Sequence, residues 1–231
     1  MENKKFFKCA IFDFDGVIID TEKYHHKAWH AAFAYFGIEF TWNDYIPLKS
    51  TGRKFIISYI EKRENRIFSE SEKRTIEKIK DEVYTDCFKD ISENDFTNGV
   101  IDFLEFLLSK NIKTGVASSS RNAKDLIDKF NLGKYFNVVI DGTNVTCPKK
   151  PNPDIFIEVA RRLNMNNYDC VVFEDSYAGF EAAIAGGFDL ITIGELHSDS
   201  ALLAIDDFTD IQDRRNFLIA NDFWGKMLKN Y

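Results

Sequence analysis

Apolar residues follow two different rhythms along this chain. Between residues 22 and 36 they recur at helical spacing, with Trp29, Phe33 and Phe36 on one face, which predicts an amphipathic helix. Residues 53–62 predict a second helix, with Ser50 or Thr51 placed to cap it. Residues 61–82 hold fourteen charged side chains, the pattern of a solvated helix face. Ile76, Ile79 and Val83 give that stretch an apolar stripe, so a helix is expected over about 69–88. No strand-like run occurs between residues 20 and 98. From Gly99 onward helices over 100–109, 121–131, 153–163 and 177–186 each precede a short apolar run, at 112–118, 136–140, 170–173 and 189–193. A weaker strand near 206–208 and a helix over 213–229 follow. Strands alternating with helices predict an α/β protein with a parallel sheet joined by crossovers. The all-helical stretch 19–92 is then an insert, and residues 1–18 with 93–231 form the core domain.

Composition changes this picture little. A chain of 231 residues suits one large or two small domains with a sizeable core. Its 22 phenylalanines read as core filling. The formal net charge of −7 argues against bulk attraction to nucleic acid or to an anionic membrane. No run of 18 apolar residues is present, and the N-terminal residues lead straight into the first apolar run without a leader-like stretch. Cys9, Cys87, Cys147 and Cys170 lack metal-type spacing and are expected to be reduced structural thiols. A cytoplasmic monomer with no membrane or nucleic-acid partner is the expectation.

The chemistry lies where the apolar runs stop. Cys9-Ala-Ile-Phe12 ends in Asp13-Phe-Asp15-Gly16. A regular strand would point these two carboxylates to opposite faces. The glycine allows the chain to turn, so both acids can reach one site. This is either an acidic surface turn or a place where a cation or a phosphate offsets the charge. Ile112-Lys-Thr-Gly-Val-Ala117 ends in Ser118-Ser119-Ser120, and Cys170-Val-Val-Phe173 ends in Glu174-Asp175-Ser176, with Lys150-Pro-Asn-Pro-Asp154 between them. Open α/β sheets bind ligands beyond the carboxyl ends of their strands. Carboxylates, hydroxyls and a lysine would gather at that edge, a set suited to a cation and a phosphate.

These four motifs, in this order, resemble those of haloacid dehalogenase superfamily phosphotransferases, and nearly the whole chain is similar to the β-phosphoglucomutase-like group. The resemblance implies a doubly wound, Rossmann-like core whose inserted helical cap, residues 19–92, covers the active site. It implies that Asp13 is the nucleophile, forming an aspartyl-phosphate, and that Asp15 is the general acid/base. It implies Mg²⁺, held by Asp13, Asp15 and Asp175, with Glu174 either a ligand or a support for one. Ser118, Ser119, Asn122 and Lys150 would bind phosphate; for Ser119 and Asn122 simple helix capping is the alternative. In the cap, His25 would position the acid/base, and Lys49 and Arg53 would grip the sugar phosphate. Lys80 stands where a cap lysine partners the histidine. Ser50 replaces the glycine that follows the lysine in the family, which leaves the sugar open. The activity implied is a phosphomutase acting on a small sugar phosphate, the alternative being a phosphatase on a similar metabolite. A non-catalytic binding protein of this fold would be expected to have lost Asp13, Asp15 or Lys150; all three are present.

Overall fold

The computed structural model describes residues 7–143 and 148–211. The helix expected over 213–229, and Cys147, lie outside the described residues. Six strands form one sheet in the order β3-β2-β1-β4-β5-β6, every neighbouring pair parallel. They are β1 (Cys9–Phe12), β2 (Lys113–Ala117), β3 (Val138–Ile140), β4 (Cys170–Glu174), β5 (Asp189–Ile193) and β6 (Leu203–Ile205). The last lies three residues before the expected position. β1 and β4 are buried along their whole length, as a central parallel strand covered on both faces must be.

Strand order decides where chemistry can gather. After β1 the chain builds outward through β2 and β3, then returns to place β4 on the other side of β1. The β1–β4 border is therefore the switch point of a doubly wound sheet. The carboxyl ends of β2, β1 and β4 lie side by side there, and these three strands lead into Ser118, Asp13 and Asp175.

Two hydrophobic clusters sandwich this sheet. On one side Phe12 stacks on Phe173 at 4.8 Å, and Phe103 and Phe208 pack around both. This bears out core filling as the use of phenylalanine. The crossover helices are α5 (Val100–Ser109), α6 (Ala123–Lys129), α7 (Asp154–Arg162) and α8 (Tyr177–Ala185). Cys9 and Cys170 are buried register partners on β1 and β4, and Cys87 is buried too; all three are free thiols. Among the described residues no helix is long and apolar enough to cross a membrane.

Between β1 and α5 lie four helices: α1 (Glu22–Ala34), α2 (Trp42–Tyr45), α3 (Arg53–Arg63) and α4 (Glu70–Cys87). A third hydrophobic cluster, from Trp29 to Ile76, belongs to this insert alone. Two local expectations are corrected. The residue before α3 is Gly52, with no side-chain cap, so neither Ser50 nor Thr51 caps that helix. The buried stripe of α4 is Ile76, Lys80, Tyr84 and Cys87, while Ile79 and Val83 are only half-buried. The helix is rotated by about one residue from the apolar-only reading, because Lys80 and Tyr84 face His25 and the site below.

Candidate active site

Asp13 extends β1 by one step, its N–H donating to the Phe173 carbonyl at 2.9 Å. Gly16 then takes φ +84°, a left-handed conformation that glycine adopts without penalty, and its N–H closes on the Ile19 carbonyl. The tight loop brings both acids to the sheet edge with different partners. The ammonium of Lys150, fully buried, lies 2.6 Å from Asp13 Oδ1 and 2.6 Å from Glu174 Oε1. Burial opposes its charge, but the two carboxylates outweigh that and raise its pKa. Burial also pushes the Asp13 carboxyl well above its usual range, since one lysine serves two acids and Asp175 stands nearby.

Asp15 is gripped from both parts of the chain. Thr21 Oγ1 donates to Oδ1 at 2.5 Å, His25 Nε2 lies 3.1 Å from the same oxygen, and Ser118 Oγ donates to Oδ2 at 3.2 Å. Burial works to raise this carboxyl, yet the bonds from His25, Thr21 and Ser118 prevail and hold it below the usual value. His25 stacks on Tyr84 with ring centroids 4.3 Å apart. Burial and the Lys80 charge lower its pKa. Lys80 is itself pushed down to about 8 by burial and by Arg53.

Glu174 spends its second oxygen inside the chain. Oε2 accepts from the N–H groups of Asp175 and Ser176 and from Ser176 Oγ. With Oε1 on Lys150, this side chain serves to orient its neighbours. One carboxylate oxygen from each of Asp13, Glu174 and Asp175 lies within 4.8 Å of the others. Asp13 Oδ2 and Asp175 Oδ1 are buried and have no hydrogen-bond partner. Two orphaned carboxylate oxygens beside a third acid are costly without a cation, and hard oxygen donors suit Mg²⁺. The residues present fit such an ion.

A cavity of about 90 Å³ opens between insert and core. Of the residues expected at the site, Asp15, His25, Lys49, Arg53 and Ser119 line it. Asp13, Ser118, Lys150 and Glu174 are buried and do not line it. Asn122 precedes α6 and its N–H donates to Ser120 Oγ; its side chain makes no cap and does not line the cavity. Ser119 Oγ donates to the carbonyl of Ser50 in the insert. Ser50 adopts φ +62°, holding without a glycine the turn that Gly52 continues at φ +88°. Arg53 forms two bonds to Asp81, at 2.5 and 2.7 Å.

The cavity is also lined by polar residues that were not anticipated, among them Glu22, Tyr45 and Arg121. Arg121 follows the Ser118–Ser120 run directly and could have been suspected as a basic residue at the start of α6. Tyr45 sits in a four-residue helix too short to show periodicity. Glu22 lies in the segment that carries His25, but no role was expected of it.

Comparison with known proteins agrees with this geometry. Residues 10–193 match the family of haloacid dehalogenase-like hydrolases. The β-phosphoglucomutase of Bacillus subtilis is 31% identical over 191 residues, covering 81% of this chain and 84% of that protein. A phosphorylated carbohydrates phosphatase of Thermotoga maritima is 32% identical over 194 residues, covering 83% and 86%. The crystal structure of β-phosphoglucomutase from Clostridium difficile superposes with a TM-score of 0.81 at 30% identity, covering 94% of this chain and all of that one. With two acids after β1, a buried lysine between Asp13 and Glu174, and a helical insert above them, the chain is an enzyme of the haloacid dehalogenase-like hydrolase family, in its β-phosphoglucomutase-like group.

Proposed function

We propose that this enzyme transfers a phosphoryl group on a small sugar phosphate, as a phosphomutase of the β-phosphoglucomutase type, with residues 19–92 acting as its cap domain. The observation that carries the reading is the grip on Asp15. The cap supplies His25 to its carboxylate and the core supplies Ser118, so the acid/base is fully held only when the two parts meet. A mutase needs that arrangement, because the phosphoenzyme must wait for a sugar hydroxyl while water is kept out.

In the first half-reaction an Asp13 oxygen attacks phosphorus, the bond from phosphorus to the sugar oxygen breaks, and the leaving oxygen takes a proton from Asp15. In the second, a sugar hydroxyl gives its proton to Asp15 and attacks the aspartyl-phosphate, and the bond to Asp13 breaks. The bonds from His25, Thr21 and Ser118 favour the ionised form of Asp15, the form that accepts that proton. Lys150 fixes the Asp13 carboxylate and neutralises charge at the reacting centre. Asp13 and Asp175 would hold Mg²⁺, which when bound offsets the charge of the phosphate oxygens. Arg53, Lys80 and Arg121 give the cavity wall a positive character suited to a second phosphate.

The similarity to the Thermotoga phosphatase supports a second reading, in which water attacks the aspartyl-phosphate. Glucose 1-phosphate incubated with enzyme, Mg²⁺ and a trace of the bisphosphate distinguishes the two. The mutase reading expects the 6-phosphate isomer; release of inorganic phosphate in its place would overturn it. Asp13→Asn should remove either product to below about a hundredth of the wild-type rate.

A further inference from the structure

Lys49 lines the first cavity, but its ammonium is engaged by acids. Its ammonium reaches down from the insert to Asp175 Oδ2 at 2.6 Å, bonds the Asp175 carbonyl at 3.3 Å and pairs with Glu22. The side chain is 11% exposed. We propose that Lys49 is the counter-ion of Asp175 in the closed, metal-free enzyme, and that it competes with the divalent cation for that carboxylate, so that loading the metal loosens the insert. The inference rests on the reading above, that Asp13 and Asp175 take a divalent cation.

The charges at the site define the competition. Asp13 and Glu174 share Lys150, which belongs to the core, while Asp175 and Glu22 share Lys49, which the insert brings. Without a cation, closing the insert is what neutralises Asp175. A divalent ion on Asp13 Oδ2 and Asp175 Oδ1 would add two positive charges beside an ammonium already on the same carboxylate. In a buried site such like charges repel strongly. Asp175 has little freedom to turn aside. It packs so closely over Gly16 that a Cβ there would overlap its carboxylate. The movable partner is Lys49, at the end of a long flexible side chain and next to the left-handed turn of Ser50 and Gly52. Its movement would strain the neighbouring tie between Ser119 Oγ and the Ser50 carbonyl, and so the closure itself. Asp175 and Lys49 also border a second cavity of about 450 Å³, with Asp20 and Glu195 on its walls. A hydrated cation can approach by that route without passing through the sugar cleft.

The experiment is Mn²⁺ binding to the full, substrate-free chain, followed by electron paramagnetic resonance, for wild type and K49M, with Asp175→Asn as the control for the site. The proposal expects K49M to bind Mn²⁺ at least tenfold more tightly than wild type. Equal or weaker binding by K49M would overturn it, because Lys49 would then be neutral toward the metal or help to hold it. Small-angle scattering of the wild type alone gives a second decision that needs no variant. Adding Mg²⁺ should enlarge the radius of gyration, and an unchanged or smaller radius refutes the coupling. Absence of Asp175-dependent Mn²⁺ binding in every form would instead remove the metal assignment on which the inference stands.

Discussion

Replacing Lys150 by methionine should unsettle the protein more than the loss of one charged group implies. The ammonium is fully buried and lies 2.6 Å from both Asp13 and Glu174, with the Phe156 ring 4.7 Å beneath it. Methionine matches its length and keeps the apolar contact, but leaves two carboxylates facing each other without a cation. Breaking a buried ion pair by removing one partner costs about 3–5 kcal/mol. For a chain of this size, that corresponds to a loss of roughly 6–20 °C in Tm. Circular dichroism melting of the metal-free protein in EDTA measures it. The double variant Lys150→Met/Glu174→Gln should recover part of the loss, because one of the two orphaned charges is gone. It should recover no activity, because Asp13 is still unsupported. A Tm within about 2 °C of wild type for Lys150→Met, equivalent to roughly 1 kcal/mol or less, would show that water or rearrangement replaces the lysine and would refute the reasoning.

Gly179→Ala tests the same cluster from behind: a Cβ at this position on α8 would overlap the Glu174 carboxyl, so the variant should cost about 1–3 kcal/mol in stability and lower turnover, while Ala182→Gly on the same helix should leave turnover nearly unchanged. Acid titration tests the insert through Asp44, which accepts from Thr41 N–H and Oγ1 at 2.9 and 2.8 Å and pairs with Arg63 at 2.6 Å. Burial opposes its charge, but Arg63 and Thr41 bring its pKa from the ordinary 3.8 down to about 2. Its contribution is therefore complete above pH 3.8 and fades as pH falls through about 2. Asp44→Asn should destabilise by about 1–3 kcal/mol at pH 7, with the gap from wild type narrowing toward pH 2 in urea titrations. A gap that stays constant with pH would contradict this.

The order of elements was legible because it is written locally. Apolar runs such as Cys170–Phe173 and amphipathic stretches such as residues 22–36 announce strand and helix through spacing alone. Asp13, Asp15, Ser118, Lys150, Glu174 and Asp175 were legible because each stands at or just after the end of an apolar run, or in a motif between such runs, and a parallel sheet gathers strand ends at one edge whatever its details. Three-dimensional packing decided which charge meets which. By charge pattern alone Lys80 reads as one more lysine on a solvated helix face, and only the family resemblance points it toward the histidine; α4 turns it inward beside His25. Arg53 reads as a phosphate ligand and is found on Asp81. Lys49 reads the same way and is found on Asp175, 126 residues away in the chain. Periodicity fixes which residues share a face, but an ion pair depends on the rotation of a helix about its axis and on the reach of a loop. In this chain those follow from how the insert packs on the core through α1, α4 and the turn at Ser50, a contact between segments far apart in sequence that no local pattern encodes.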